Sequence, residues 1–346
     1  MKIQTIQLLR GYAAVIVVLY HAHGLITKRA SEFGAEHIFW LSENPFVKIG
    51  VVGVDIFFVL SGFIIFYASR NSSNLVLYAK KRIVRIYPIW FVAIFFMVVI
   101  ALIPGTSAVF DLQHILYSAL LVPHYYDGRL VPFLPIGWTL NYEILFYTLF
   151  GATLLITKTK RLELITGSIF FLWLISSYLD SRLAIFKLLE NPVLFEFVIG
   201  GWLARVYLLG WTVSKKHMLI IVTFALLWLS IFFLSDWLWK LPSLIARAPI
   251  AISLFAIAVF YMPIRESKVH PVFIYLGDAS YSIYLFHMFP IMVLSGVVSK
   301  LTIPFLNEIP VLVSWLLITF TSVVFGCLTY SIIEKRLNRY LKGYIK

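Results

Sequence analysis

The chain has 346 residues, of which 61% are hydrophobic and only 13% are charged, and its mean hydropathy is +0.92. This composition excludes a soluble globular domain, because apolar content of this extent is typical of membrane-spanning helices. The formal net charge of +13 would suggest nucleic-acid binding in a soluble protein. In a membrane protein, basic residues chiefly set the orientation of the helices, so we expect no nucleic-acid partner.

Apolar runs of roughly 17–23 residues predict an all-α polytopic membrane protein with about ten transmembrane helices. The predicted spans cover residues 12–27, 51–69, 87–104, 138–157, 162–179, 192–209, 218–235, 243–262, 271–297 and 311–333. The first run is of full length and lacks a small-residue cleavage site, so it is interpreted as a retained helix. The apolar run at 114–123 is too short to cross a bilayer, which favours a re-entrant or interfacial segment. No predicted loop is long enough for a separate soluble domain, so residues 1–346 are expected to form a single membrane domain.

The basic residues are distributed unequally between the two sides of the predicted bundle. If the N-terminus is cytoplasmic, 20 of the 29 Lys and Arg residues lie in cytoplasmic segments and 8 lie in outer segments. Cytoplasmic loops of membrane proteins carry an excess of Lys and Arg. The distribution therefore predicts that both termini are cytoplasmic.

The first predicted span carries polar groups on one face. Arg10 stands at its cytoplasmic entrance, and His21 follows 11 residues later, about 16 Å further along the helix. Eleven residues make three turns plus about 20°, so Arg10 and His21 share a face, whereas His23 falls on nearly the opposite face. Ionisable residues at membrane depth are costly and usually face a cavity or a partner. The alternative, in which both histidines are buried polar residues bonded to neighbouring helices, stays open.

Three other spans place ionisable residues at a similar depth. Asp55 comes early in the second span, Glu143 early in the fourth, and His287 in the outer half of the ninth. Together with His21, these residues come from four different spans and all fall in the middle-to-outer zone. We therefore predict one polar chamber that opens outward.

Aromatic residues accompany this zone. Tyr284 lies three residues before His287 and shares its helix face. Trp138 begins the fourth span at the outer interface, and Tyr125 and Tyr126 lie in the preceding outer segment. These rings could stack on sugars, and interfacial anchoring explains them equally well. Gly50, Gly53 and Gly62 in the second span favour close helix packing.

A basic cluster, "YAKKRIVRIYP", precedes the third span at the cytoplasmic face. A topology anchor that attracts anionic lipid is the favoured interpretation for Lys80 and Lys81. Arg82 and Arg85 are three residues apart on one helix face, and with Arg10 they could clamp a polyanion, because the guanidinium fork suits phosphate. No Gly-rich nucleotide loop and no serine nucleophile elbow is present, and no Cys/His cluster predicts a metal site.

Five motifs in this sequence resemble the membrane acyltransferase-3 family. They are "LLRGYAAVIVVLYH", "GVDIFFVLSGFII", "RIVRIYPIW", "GWTLNYEILFY" and "YSIYLFH", and they occur in the family's order over nearly the whole chain. The segment "LPIGWTLNYEILFY" looks most like the exopolysaccharide O-acetyltransferases, of the kind that decorate succinoglycan. Many relatives carry an extra-cytoplasmic hydrolase-like domain after the membrane core, and none is expected here.

The resemblance implies roles for particular residues. His21 matches the catalytic histidine, and Arg10 would support it or the donor. Arg82 and Arg85 match the family's paired arginines, which would bind acetyl-CoA, the implied acyl donor. Glu143 matches the acid of the Trp-x-Leu motif. The resemblance also implies a multi-pass protein of the bacterial inner membrane that acts on a glycan or a lipid-linked oligosaccharide.

The sequence hypothesis is therefore transfer of an acyl group, most simply acetyl, from cytoplasmic acyl-CoA to a sugar hydroxyl. His21, Glu143 and Asp55 are the expected catalytic residues. The expected acceptor-binding residues are His287, Tyr284 and Trp138, and no metal is expected. Acyl-histidine and direct-transfer mechanisms both stay open, as do acyl length, oligomeric state and the roles of four residues, which are Arg205, Glu196, Arg247 and Asp278.

Two alternatives belong to other functional classes. A multi-span transporter or flippase of a glycolipid or an organic anion would also carry intramembrane charges. It would neither bind nor hydrolyse acetyl-CoA. A non-catalytic scaffold of a polysaccharide export complex would tolerate loss of His21 and Arg85.

Overall fold

The computed structural model describes residues 4–30, 45–71, 73–103, 110–179, 182–261, 269–300 and 311–344. Over these residues the chain is helical, and the one strand-like pairing is an isolated antiparallel bridge between Tyr126 and Arg129. The predicted all-α class is thereby confirmed. Two predicted span ends, at Pro104 and Met262, lie outside the described residues.

Helices account for most of the described residues. In chain order they are α1 (Gln4–Ala30), α2 (Pro45–Lys48), α3 (Val52–Ser69), α4 (Leu75–Ala101), α5 (Leu112–Ala119), α6 (Trp138–Ile156), α7 (Arg161–Tyr178), α8 (Ala184–Glu190), α9 (Leu194–Leu208), α10 (Lys215–Leu234), α11 (Asp236–Trp239), α12 (Ser243–Ala246), α13 (Ala248–Ala256), α14 (Pro271–Phe286), α15 (Met288–Lys300), α16 (Val311–Thr329) and α17 (Lys335–Lys342). Single 3₁₀ turns at Ile49–Val51 and Pro135–Gly137 lead into α3 and α6, and π-helical turns extend α13 over Ile257–Tyr261 and α16 over Tyr330–Glu334.

Six helical segments in the described part of the chain are long and apolar enough to cross a membrane. They are Gln4–Gly24, Ile49–Ser69, Leu75–Ala101, Pro135–Ile156, Lys215–Leu234 and Trp315–Lys342. The protein therefore has the helices of a membrane protein, although fewer of them meet this criterion than the ten spans predicted from sequence.

Helices also lie at the other four predicted positions, but each departs from a continuous apolar span. Helix α7 begins with Arg161 and Glu163, which lower its mean hydropathy, and α9 has only 15 residues. Arg247 separates α12 from α13, and His287 separates α14 from α15. The run at 114–123 overlaps the eight-residue helix α5, which begins at Leu112 and is too short to cross a bilayer.

The chain divides into two compact units, Met1–Ile56 with Met262–Lys335, and Phe57–Tyr261 with Arg336–Lys346. In the first unit, α1 and α14 approach until their backbones touch. A Cβ at Gly277 would overlap the Gln7 carbonyl, and one at Gly11 would crowd the backbone of α14. Small residues permit this contact, which is a common way for membrane helices to associate. Helix α16 joins the pair, since Trp315 Nε1 donates to the Leu19 carbonyl at 2.9 Å.

The glycines that the sequence singles out are confirmed as packing positions. In the first unit, a Cβ at Gly50 would overlap the Ile16 carbonyl, and a Cβ at Gly53 would meet α1 in the same way. In the second unit, a Cβ at Gly62 would overlap the Phe197 carbonyl. These positions allow α3 to lie directly against its neighbours in each unit.

Residues 110–134, which precede α6 in the second unit, are held by specific hydrogen bonds. Trp90 Nε1 donates to the Ser118 carbonyl at 3.0 Å, which fixes α5 to α4. His114 Nδ1 lies 2.7 Å from His124 Nε2, and the His114 ring stacks on Tyr126 at 3.9 Å between centroids. Burial, and secondarily His124, lower the pKa of His114 and so favour its neutral form. The segment is therefore a folded part of the unit.

The contact between α3 and α9 yields a stability prediction. A Cβ at Gly200 would overlap the Val59 carbonyl, whereas a Cβ at Gly167 on α7 would meet nothing within 4 Å. We expect Gly200→Ala to lower the free energy of unfolding by about 1–3 kcal/mol, the usual cost of overpacking. The control, Gly167→Ala, should be neutral or slightly stabilising because alanine is the better helix former. Thermal unfolding in detergent measures both. Equal melting temperatures for the two variants would contradict this packing.

Candidate active site

Two histidines predicted for the polar chamber are in contact in the first unit. His21 lies on α1, and His287 lies where α14 ends. His287 Nε2 is 3.0 Å from His21 Nδ1, and the ring centroids are 5.0 Å apart. His287 is fully buried. The backbone contact at Gly11 and Gly277 brings their helices close enough for this hydrogen bond.

The other ring nitrogen of His287 faces backbone carbonyls. Its Nδ1 lies 2.6 Å from the Tyr284 carbonyl oxygen and 3.2 Å from that of Ile283. The Ile283 carbonyl also accepts the backbone N–H of His287 at 3.1 Å, so the ring adds to the hydrogen bonds that cap the end of α14. The hydrogen bonds at the end of α14, where the predicted ninth span is interrupted, therefore hold the His287 ring in place.

The surroundings of the pair are mainly aromatic and apolar. The His21 ring meets Tyr20 edge to face at 5.5 Å, and Tyr284 lies 6.0 Å from the His287 ring. Ala22 on α1 and Ile291 on α15 belong to one buried apolar cluster. Tyr284 itself is 7% exposed. The two imidazoles thus form a polar contact within an otherwise apolar packing.

The remaining predicted residues of the first unit are Arg10, Asp55 and His23. Arg10 is partly exposed and lies on the same continuous helix as His21. Asp55 is fully buried in the first turn of α3, where the positive end of the helix dipole favours a carboxylate. His23 is also buried. None of the three is without a partner.

A second cluster lies within the second unit and contains Glu143. Glu143 Oε1 accepts hydrogen bonds from Ser61 Oγ at 3.1 Å and from the Tyr147 hydroxyl. The Arg82 guanidinium lies 5.6 Å from the centroid of the Tyr147 ring and 6.0 Å from that of Tyr78. Tyr78 in turn donates to the Tyr147 carbonyl at 3.0 Å. This carboxylate, phenol and guanidinium therefore form one contiguous group.

The sequence predicts that Arg82 and Glu143 lie at opposite ends of the site. In the structure, both side chains lie beside Tyr147. Tyr147 and Ser61 are site candidates that the sequence reasoning missed. A signal was present, because Tyr147 follows Glu143 by four residues and so lies one turn away on the same helix face. Arg85, one turn beyond Arg82, is partly exposed and is not without a partner.

Trp138 begins α6 within an aromatic group. Its ring meets Phe58 at 6.1 Å and Tyr142 at 5.8 Å, both edge to face, and Phe58 packs on Phe197 at 4.8 Å. The indole is only partly buried, so part of its surface is available to a ligand. Packing against these rings therefore explains in part why position 138 is a tryptophan.

Two residues whose roles the sequence leaves open belong to structural pairs. Arg205 forms an ion pair with Glu163, and Glu196 accepts a hydrogen bond from Ser243 Oγ at 2.7 Å. Arg247 and Asp278 are partly buried and not without partners. Within the described residues, no group of three or more His, Cys, Asp or Glu side chains could hold a metal ion.

The chain matches the acyltransferase-3 family, described as an acyltransferase domain, over residues 3–331. The protein therefore belongs to this family of acyl-transferring membrane enzymes. It is 34% identical over 257 residues to the exopolysaccharide production protein ExoZ of Rhizobium meliloti, covering 71% of this chain and 78% of that protein. It is 22% identical over 324 residues to the putative acetyltransferase ORF330 of Acidianus two-tailed virus, covering 87% and 88% of the two chains. No solved structure matches the chain.

The contact between Glu143 and Tyr147 can be tested by measuring how substitutions change the stability of the protein. Tyr147→Phe removes a donor from a partly buried carboxylate, so we expect a loss of about 1–3 kcal/mol in the free energy of unfolding. Combined with Glu143→Gln, the loss should be smaller than the sum of the two single losses, because the residues share one interaction. Tyr178→Phe, at an 83% exposed position, is the control. Strictly additive losses in thermal unfolding would show that Tyr147 and Glu143 do not interact.

Proposed function

We propose that the protein transfers an acetyl group from cytoplasmic acetyl-CoA to a hydroxyl of a sugar in an exported or lipid-linked glycan. The observation that carries this proposal is the His21–His287 hydrogen bond, which holds an imidazole at a fixed position within a family of acyltransferases. The name of the ExoZ relative supports a sugar acceptor, and the name of the viral relative supports an acetyl group.

The proposed chemistry requires a base for the acceptor hydroxyl. His21 takes the hydroxyl proton as the sugar oxygen attacks the thioester carbonyl, because imidazole titrates near neutral pH. The new C–O bond forms, the C–S bond breaks, and the proton passes to the departing CoA thiolate. Attack by His21 itself, through an acyl-histidine intermediate, gives the same products. Asp55 would orient the base, and Glu143 would accept a hydrogen bond from an acceptor hydroxyl.

The residues proposed to bind the donor are Arg82 and Arg85 in the second unit, and Arg10 in the first unit is proposed to support the donor or His21. Acetyl-CoA carries phosphate groups, which guanidinium groups bind better than ammonium groups do because they offer several donors in a plane. The position of Arg82 over the rings of Tyr78 and Tyr147 supports a preorganised guanidinium. Lys80 and Lys81 are exposed on the same helix and are assigned to lipid or solvent.

The proposed acceptor contacts are Trp138 and Tyr284, together with the carboxylates of Asp55 and Glu143. Carboxylates accept hydrogen bonds from sugar hydroxyls, and an indole face packs on a sugar ring. The partial exposure of Trp138 supports its assignment. The acceptor is proposed to be a glycan repeat unit attached to a lipid carrier, because the proposed catalytic and binding residues lie on membrane helices.

We also propose that the single domain crosses the bacterial inner membrane ten times, with both termini in the cytoplasm. The distribution of Lys and Arg supports this orientation. A transporter of a glycolipid or an organic anion is the second candidate, because buried ionisable groups such as Asp55 also occur in that class.

Replacement of His21 tests the function. We expect His21→Gln to reduce acetyl transfer by about 10²–10⁴-fold, the usual contribution of a general base. His23→Gln, at a buried position on the opposite face of α1, is the matched control and should retain activity. Membranes are incubated with labelled acetyl-CoA and a lipid-linked glycan pool. The measured product is label in an alkali-labile ester. If wild-type membranes neither transfer the label nor bind acetyl-CoA, the transporter becomes the better explanation.

Cysteine labelling tests the orientation. Cys327 is the one cysteine of the chain, so Cys327→Ser provides a background without thiols. Single cysteines at Lys187 and at Lys216, both exposed, then report the predicted outer and cytoplasmic sides. A membrane-impermeant maleimide should label position 187 in intact spheroplasts, and position 216 only after permeabilisation. The reverse pattern would overturn the N-in, C-in orientation.

A further inference from the structure

The hydrogen bonds of His287 determine where its own proton lies. Carbonyl oxygens only accept hydrogen bonds, and Nδ1 of His287 faces those of Tyr284 and Ile283 at 2.6 and 3.2 Å. Nδ1 of His287 must therefore carry the hydrogen. In a neutral imidazole the second nitrogen then has no hydrogen and can only accept. Because His287 is fully buried, the neutral form is also the less costly one.

The tautomer of His287 determines that of His21. Nε2 of His287 is 3.0 Å from Nδ1 of His21, and an acceptor at this distance requires a donor opposite. Nδ1 of His21 must therefore carry a hydrogen. The His21 ring also bonds the Val17 carbonyl, four residues earlier on α1, and that bond uses the same Nδ1 hydrogen. The remaining nitrogen of a neutral His21, Nε2, then carries a lone pair and no hydrogen.

We propose that His287 is a positioning residue that holds His21 in the Nδ1-protonated tautomer, so that Nε2 of His21 is the base in acyl transfer. This inference rests on the proposed function, because it names the atom of His21 that reacts. The hydroxyl proton moves to Nε2 of His21 and later leaves from the same atom. Throughout, Nδ1 of His21 donates to His287, and the proton on His287 does not move.

A histidine in this position suits a membrane interior. In hydrolase triads a buried carboxylate holds the catalytic imidazole in its reactive tautomer. A carboxylate carries a charge that is costly to bury in hydrocarbon surroundings, whereas a neutral imidazole carries none. His287 thus orients His21 without adding a buried charge to α1 and α14. When His21 becomes an imidazolium, the same hydrogen bond becomes charge-assisted and shorter.

This role differs from the acceptor contact that the sequence predicts for His287. Its Nε2 is engaged with His21, and its Nδ1 with two carbonyls. With no exposed surface and no unengaged nitrogen, the ring has no atom left for a sugar hydroxyl. Tyr284 remains as the acceptor contact proposed for this part of α14.

Two variants separate tautomer control from packing. In His287→Gln the amide oxygen can accept from Nδ1 of His21, whereas His287→Leu fills the space with no acceptor. We expect the Leu variant to lose about 10- to 100-fold in kcat, the effect of losing one hydrogen bond to an ionised ring. The KM for acetyl-CoA should be unchanged, and the Gln variant should recover most of kcat. Equal losses in Gln and Leu variants that melt at the wild-type temperature would overturn the proposal.

Nitrogen NMR tests the tautomer without any reaction. The chain has eight histidines, and ring-labelled protein in nanodiscs gives resolved signals that His21→Gln and His287→Gln spectra assign. We expect His21 to be protonated at Nδ1 and unprotonated at Nε2 in the wild-type protein. A wild-type His21 protonated at Nε2 would refute the inference even if the enzyme is active. The expected tautomer in a protein that transfers no acetyl group would instead refute the proposed function and leave the His287 contact as found.

Discussion

The direct backbone contact between α1 and α14 is the constraint on which the candidate site in the first unit depends. Gly11 and Gly277 lack the Cβ atoms that would keep the two helices apart. The rings of His21 and His287 form their hydrogen bond ten residues further along the same two helices. A larger residue at either glycine would thus affect the imidazole pair as well as the packing. The packing of the unit and the position of the imidazole pair therefore depend on the same helix contact.

A membrane interior gives polar side chains few alternatives to partners within the protein, and the described clusters follow from this. His287 satisfies carbonyls at the end of α14, and the same bonds orient its ring. Glu143 is held by a serine and a tyrosine, and Tyr147 also lies beneath the guanidinium of Arg82. In each unit, the hydrogen bonds that make burial tolerable also fix the geometry of a reactive group.

The proposed reaction makes modest demands on such groups. Acyl transfer from a thioester to an alcohol needs one base, a bound donor and a positioned hydroxyl. In the proposed reaction, a neutral pair of imidazoles would supply the base without a fixed buried charge, and arginines would supply affinity for the donor's phosphates. Membership of the acyltransferase-3 family and the likeness to an exopolysaccharide production protein are part of the support for this proposed chemistry.

The sequence alone determined the all-α membrane class, the approximate helix positions, the packing glycines and the family, because hydropathy, small residues and motifs are local properties of the chain. It also picked out His21, His287, Arg82 and Glu143. Only the tertiary structure decided their partners. The break of the ninth predicted span at His287, the bond from His287 to His21 across 266 residues, and the role of Tyr147 between Glu143 and Arg82 all depend on how helices cross. Crossing geometry is set by packing between distant segments, which no local pattern encodes.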